Sequence, residues 1–328
     1  MNRPILRKAV VAVVAGGGVL VLTIVASLMT DASGRWDGGG ASPQILQQLR
    51  IPRLILGMVV GGQLAIAGLL LQTLFRNPLA EPYILGVSSG ASLGNVLWTL
   101  FLAPVIPWRF GMEISGALGA LLAVLIVIRA GRAIGLGDSP SFILVGVAVG
   151  AGLHALAALF LVQADPNRIR DALVWLMGSL AYKSWMTVWA CLPVLVAAFA
   201  ISMFYSRGLD LLGLGEESAH DLGLDVPRMR ILTIGVAVVL AGSATAAVGV
   251  VGFVGLMAPN LIRLHFSISH RWMIPLSAIA GGTLVPMADL LSRYLAPGRE
   301  IPIGILTSIA GSAFFLIILR SGRVTGRR

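Results

Sequence analysis

The chain has 328 residues, 57% of them hydrophobic and only 12% charged, with a mean hydropathy of +0.92. A soluble globular chain carries about twice that charged fraction, so the composition excludes a soluble domain and specifies an all-α, polytopic membrane protein. The net charge is +10, yet the basic residues scatter over loops, with only two lysines, Lys8 and Lys183, which argues against nucleic acid as a partner. No series of alternating ten-residue segments points to a β-barrel, and 40 glycines suit close helix packing in lipid. The single cysteine, Cys191, can form no internal disulfide.

One membrane domain, residues 1–328, with about ten transmembrane helices follows from the apolar runs. Arg3, Arg7 and Lys8 precede the first, Ala9 to Met29. It exceeds the roughly 7–15-residue core of a signal peptide and is read as a retained span. Asp31 to Gln48 reads as a loop, Arg53 to Phe75 as the second span and Arg76 to Glu81 as a turn. The third span is Tyr83 to Ala103, the fourth follows Met112 and ends at Ile128, and the fifth is Phe142 to Val162. A mixed loop, Gln163 to Lys183, leads to the sixth span, Ser184 to Tyr205. The seventh is Ile231 to Val248. The eighth, Val250 to Leu264, contains Pro259 and reads as a broken span. Trp272 to Leu291 and Ile301 to Leu319 are the ninth and tenth.

Between the sixth and seventh spans lies the longest polar run, Gly208 to Arg230, with five of the fourteen acids: Asp210, Glu216, Glu217, Asp221 and Asp225. Its middle reads as a short helix. Glu216 and Glu217 stand in the first turn, where the helix dipole favours acids, and Gly223 stands where a left-handed cap is wanted. Pro227 interrupts any longer helix. Leu214, Ala219 and Leu222 are expected to form a small apolar face. With an even number of spans both termini share a side. Placing them in the cytoplasm puts 15 of the 24 basic residues on inner loops, in line with the positive-inside bias, and makes the 208–230 loop cytoplasmic.

Gly86-Val87-Ser88-Ser89-Gly90 matches the G-x-S-x-G nucleophile pattern, which requires a strand-to-helix turn. Here it lies in an apolar helical stretch, so close packing by Gly90 and Gly94 is the reading preferred to an intramembrane hydrolase using Ser88 and His154. His154 is expected to bond to a neighbouring helix. Asn77-Pro78 and Pro259-Asn260 both break helix; they either flex during gating or end helices. No G-x-x-x-x-G-K-[ST] phosphate loop is present, so any ATP hydrolysis belongs to a partner and this chain is not itself an enzyme.

Several stretches occur in one order: LRIPR (49–53), LLLQTLFRNPLAEPYILGVSSGA (69–91), LGLGEESAHDLGLDV (212–226), GVVGFVGLMAPNLIR (249–263) and EIPIGILTSIAGSAFF (300–315). Together they closely resemble the permease subunits of bacterial ABC importers for iron chelates, heme and cobalamin, over nearly the whole chain. The resemblance implies the cobalamin-importer-type permease fold, a homodimer with its path on the two-fold axis, two ATP-binding cassette subunits docked inside, and a periplasmic binding protein docked outside. It places the chain in the bacterial inner membrane, with no cofactor in this subunit and ATP-Mg on the ATPase. The 208–230 loop matches the family's coupling element, with Leu214, Gly215, Glu216, Glu217, Ala219, Asp221, Leu222 and Gly223 as its residues. Arg50, Arg53 and Arg293 match arginines that pair with glutamates of the binding protein. Their alternative is interfacial snorkelling, with Asp289 one turn from Arg293. Where Asn260 stands the family usually has His. Glycine-rich second, fifth and tenth spans are expected to permit a wide path. A ferric siderophore is the expected cargo, ahead of heme and cobalamin. An ion-coupled secondary transporter is the rival, disfavoured because the acids near spans, Asp289 and Glu113, lie close to the outer surface.

Overall fold

The computed structural model describes residues 3–31, 34–37, 42–106, 111–133, 139–266, 268–295 and 301–320. Helix α1 is Arg3–Met29. A three-residue helix, α2 (Pro43–Ile45), runs through a π-helical turn, Leu46–Arg50, into α3 (Ile51–Leu74). α4 is Val87–Leu97, extended by a π-helical turn over Trp98–Leu102. α5 (Gly111–Ala133) and α6 (Ser139–Val162) follow, then α7 (Pro166–Leu176) and α8 (Trp185–Phe204). The polar loop holds α9 (Ser206–Gly213) and α10 (Glu216–Asp221). The chain ends with α11 (Val226–Val248), α12 (Val254–His265), α13 (His270–Leu295) and α14 (Ile303–Arg320).

Among the described residues six helices are long and apolar enough to cross a membrane, and Gly16–Met29, Val87–Leu102 and Ile303–Ile318 are shorter apolar helices. With α12 these account for the ten segments of the sequence reading. α12 spans about 18 Å at 1.5 Å per residue, well short of a roughly 30 Å hydrocarbon core.

α3 is apolar on every side, the pattern of a helix buried all round, and 89% of the apolar window in its segment is buried. It packs against α13, α11, α12 and α8. Glycine lets its backbone touch the neighbours: a Cβ on Gly61 would lie 2.0 Å from the Gly281 carbonyl oxygen of α13, and one on Gly68 2.0 Å from that of Gly255 in α12. The glycines of the second span therefore serve packing at the centre of the subunit, and the expectation that they widen a path is corrected. Gly90 and Gly94 behave as expected from their spacing, closing α4 onto Gly119 and Ser115 of α5.

Three boundaries differ from the sequence reading. The helix leading into α3 begins at Pro43, inside the expected Asp31 to Gln48 loop, because Ser42 caps it by accepting from the Ile45 N–H. The 163–183 loop contains α7, started by Pro166 in its first turn. α11 begins at Val226, five residues early: Asp225 accepts from the Arg228 N–H and Pro227 sits in the first turn, so the proline that ends one helix opens the next.

Candidate functional site

The 208–230 loop is an ordered body. Gly215 takes φ +118°, a conformation that L side chains avoid, and a Cβ there would come within 3.0 Å of Arg76 Nη1. After α10, Gly223 adopts φ +86°. Its N–H donates to the His220 carbonyl (2.8 Å) and the Leu224 N–H to that of Ala219 (2.9 Å). That pair of bonds is a Schellman cap, formed by the glycine singled out in sequence. Glu216 is ion-paired with Arg230, which ties α10 to α11.

Ala219 is fully buried while Leu214 and Leu222 are 63% and 60% exposed. The expected apolar face of all three is corrected: α10 turns its small alanine onto the subunit's own core and leaves the two leucines outside. Glu217 and Asp221 are exposed. Asp210, on α9, accepts from the His270 backbone N–H (2.9 Å), and the His270 ring bonds the same carboxylate through Nδ1 (2.6 Å) and Thr73 through Nε2 (2.7 Å). The start of the loop is thereby pinned to the first turn of α13 and the last turn of α3.

The Asn77-Pro78 turn meets Pro259-Asn260, and the expected break at the latter pair is corrected, because α12 runs through it unbroken. The Asn260 Nδ2 group donates to the Pro78 carbonyl (2.7 Å) and to Leu256 of its own helix (2.9 Å). Asn77 Oδ1 accepts from the Leu79 N–H (2.9 Å), turning the chain after α3. Pro259 lies buried inside α12. Alongside, Gln72 donates to the Gly255 carbonyl (3.0 Å) and accepts from Arg263 (2.5 Å). Glu81, in the connection between α3 and α4, accepts from the Phe253 N–H at the start of α12. Phe253 itself is left-handed, φ +66°. Burial pushes the Glu81 carboxyl up to about 7, and the Phe253 N–H pulls the other way. Polar side chains of α3, of the α3–α4 connection and of α12 thus satisfy one another and the non-helical backbone beside them.

At the opposite end of α3 the arginines turn inward. Arg50 donates to the Leu28 carbonyl (2.6 Å) and pairs with Asp37. Arg53 is bidentate on Asp289, at 3.0 and 2.7 Å to Oδ1. Arg293, with its side chain only 4% exposed, shares Asp289 at 3.2 Å and donates to Ser27 Oγ (2.8 Å) and the Thr30 carbonyl (3.2 Å). The Asp289 pairing offered by the one-turn spacing is present, and Arg293 lies buried between α1 and α13. Lys183 pairs with Glu113 at 3.4 Å.

The structure joins Asn77-Pro78 to Pro259-Asn260 and joins Arg53 to Arg293 through one aspartate. Sequence reasoning placed Asp210 in the loop but missed its link to Thr73 and His270, which lie far apart in the chain, and missed Glu81, read as a turn residue. Its place before Pro82 at the edge of an apolar run is a weak signal of burial. His154 bonds its own helix, Nδ1 donating to the Gly150 carbonyl at 3.1 Å, and not a neighbouring one as expected. Among the described residues no group of three or more His, Cys, Asp and Glu side chains could hold a metal ion.

Among the described residues ten apolar segments, one of them the internal α3, and an ordered polar loop at one end make a polytopic membrane protein. The sequence profile of the FecCD transport family matches residues 9–321, and the chain belongs to that family: it is the non-catalytic, membrane-spanning permease subunit of an ABC importer. The cobalamin import system permease protein BtuC of Halobacterium salinarum is 40% identical over 85% of this chain and 74% of its own. The Fe(3+) dicitrate transport system permease protein FecD of Escherichia coli is 35% identical over 89% of both chains. A solved inward-facing metal-chelate type ABC transporter superposes with a TM-score of 0.83 at 29% identity, covering 94% of this chain and 98% of that one. Membership sets aside the hydrolase and the secondary transporter.

Proposed function

We propose that this permease carries a metal chelate, a ferric siderophore first with heme and cobalamin as competing cargoes, from a periplasmic binding protein across the bacterial cytoplasmic membrane. It acts as a homodimer with both termini in the cytoplasm. Two ATPase subunits, which alone hold ATP-Mg, dock on the 208–230 loop. Leu214 and Leu222 enter the ATPase surface and Glu217 and Asp221 meet its basic groups. Gly215, Glu216, Ala219 and Gly223 keep α10 in shape. The latch of Asn77-Pro78 on Pro259-Asn260 is where α12 shifts during gating. Arg50 and Arg53 hold the surface on which the binding protein docks, and Arg293 orients it from beneath.

One observation supports the coupling role above the others: the loop is capped, ion-paired and pinned to α3 and α13 through Asp210, His270 and Thr73. A body so fixed passes on a rigid-body displacement that a slack linker absorbs. The test is ATP-driven uptake in proteoliposomes containing the assembled importer. Gly215→Pro or Leu222→Asp is expected to lower uptake more than about tenfold, the loss of roughly 1.4 kcal/mol or more of coupling, with the fold intact by melting. Normal uptake by both variants would reduce the loop to a connector. Presenting ferric siderophore, heme and cobalamin in turn to the cognate binding protein identifies the cargo.

A further inference from the structure

At the end of the helices away from the 208–230 loop, α5 and α8 both pack on α11, and a cavity of about 480 Å³ lies between the three. That is within the roughly 300–1,000 Å³ of small-molecule sites. Its apolar wall comes from the first two turns of α5 (Ile114, Ala117), the first two of α8 (Met186, Ala190) and the last two of α11 (Ala246). The exception is Glu113, in the first turn of α5, which belongs to the same wall and pairs with Lys183 at 3.4 Å. Lys183 comes from a turn 70 residues further along the chain, in which Tyr182 is left-handed, φ +54°.

This ion pair is loose. A tight charge-assisted bond measures about 2.7–2.9 Å. The contact uses one of the three ammonium N–H groups and one of the two carboxylate oxygens. Among the described residues neither side chain makes another hydrogen bond, so Glu113 Oε2 is left open. Around the pair Tyr182 and Trp189 are exposed, and Trp185 stacks on Trp189 at 6.0 Å. Tyr and Trp collect at the level of lipid headgroups. Further along the same helices Leu118 and Leu122 of α5 and Val196 of α8 are also exposed. The cavity therefore faces the bilayer, with an apolar interior and charges of both signs at its rim.

An occupant has to match that division. An anionic headgroup gains Lys183 but sets like charge against Glu113. A zwitterion of phosphate and ammonium complements both. A quaternary ammonium has no N–H for Oε2, whereas a primary one donates a charge-assisted hydrogen bond to it. We propose that this cavity binds one phospholipid with a primary-ammonium headgroup, its phosphate on Lys183, its ammonium on Glu113 and part of an acyl chain between α5 and α8. Neither the cargo nor the coupling role of the 208–230 loop enters this assignment.

The experiment titrates the delipidated, detergent-solubilised importer with phosphatidylethanolamine, phosphatidylcholine and phosphatidylglycerol of identical acyl chains, counting bound lipid by native mass spectrometry. The expected result is one saturable site per permease chain, filled by phosphatidylethanolamine at about tenfold lower concentration than by the other two, the effect of one hydrogen bond to a charged group. Equal filling by all three, or tightest filling by phosphatidylglycerol, overturns the proposal. Glu113→Gln is expected to bring phosphatidylethanolamine to the level of phosphatidylcholine, and Lys183→Gln to weaken both. A preference that survives Glu113→Gln, or binding that Lys183→Gln leaves unchanged, overturns the headgroup assignment. Ala190→Trp, at an exposed position, and separately Ala117→Leu fill the cavity. Each is expected to abolish the saturable site while the lipid-free protein melts within about two degrees of native. Saturable binding that persists in both places the lipid elsewhere and overturns the site.

Discussion

The two ends of α3, about 36 Å apart at 1.5 Å per residue, treat charge in opposite ways. At the Arg53 end the cations turn inward: Arg53 and Arg293 converge on Asp289, Arg50 takes Asp37 and the Leu28 carbonyl, and Arg293 and Asp289 are nearly inaccessible. At the other end the ordered loop keeps Glu216 for Arg230 and Asp210 for His270, while Glu217 and Asp221 stay exposed on α10 with Leu214 and Leu222 beside them. One end uses its charges to assemble the subunit. The other uses some to build a rigid support and leaves the rest facing outward. A cluster of charges at a membrane surface is therefore not by itself a docking surface; what matters is which charges the fold has left without a partner.

The strongest way to break this contrast is to remove Asp289. Asp289→Ala leaves the buried Arg293 and the half-buried Arg53 without their shared acceptor, and loss of one partner from a buried pair costs about 3–5 kcal/mol. The expected result is a large drop in melting temperature of the purified permease. If melting is unchanged while binding-protein-stimulated ATPase activity falls, the cluster is a recognition site and the contrast is wrong.

Glu81 offers a second probe, as a buried acid in the connection between α3 and α4. Its folded value of about 7 lies above the ordinary 4.5, so the folded state holds the proton more tightly than the unfolded one. The stabilisation is complete below about 4.5 and is lost as pH rises through about 7. Native melting temperature should fall between about pH 5 and pH 8. Glu81→Gln should flatten that fall, melting with the native chain at the acid end and above it by a few degrees at the alkaline end. Parallel curves for the two proteins would show that Glu81 does not carry this pH dependence.

The smallest effect is expected at the exposed acids. Glu217→Lys with Asp221→Lys reverses two outward charges and should weaken ATPase association about three- to tenfold at low salt, with the difference shrinking as salt rises. Melting should be unaffected. Salt-independent weakening would point to a change in the shape of the loop instead.

The number of spans and the glycine that caps α10 were legible because they depend on local rules. An apolar run long enough to cross a bilayer is a property of consecutive residues, and the Gly223 cap follows the last turn of its own helix. The Gly90 and Gly94 packing stripe was readable for the same reason: helical spacing alone puts the two on one face. The pairing of Arg293 with Asp289 was legible as one helical turn, whereas its bonds to Ser27 and Thr30 were not, because those residues lie more than 260 residues away in the chain. Ala219 and Leu222 look alike in sequence as apolar residues of one short helix, and only packing against the core separates them.

The residues alone thus settled that this is a membrane protein of ten apolar segments, without a phosphate loop and with a capped polar knob between the sixth and seventh, since hydrophobicity, helix period and turn chemistry act over a few residues. Tertiary structure decided which of its charges are exposed, that α3 is internal, and that α6 is the least covered of the long helices among the described residues. Those outcomes depend on which helices touch, and contact between distant segments is written in no local stretch of the chain.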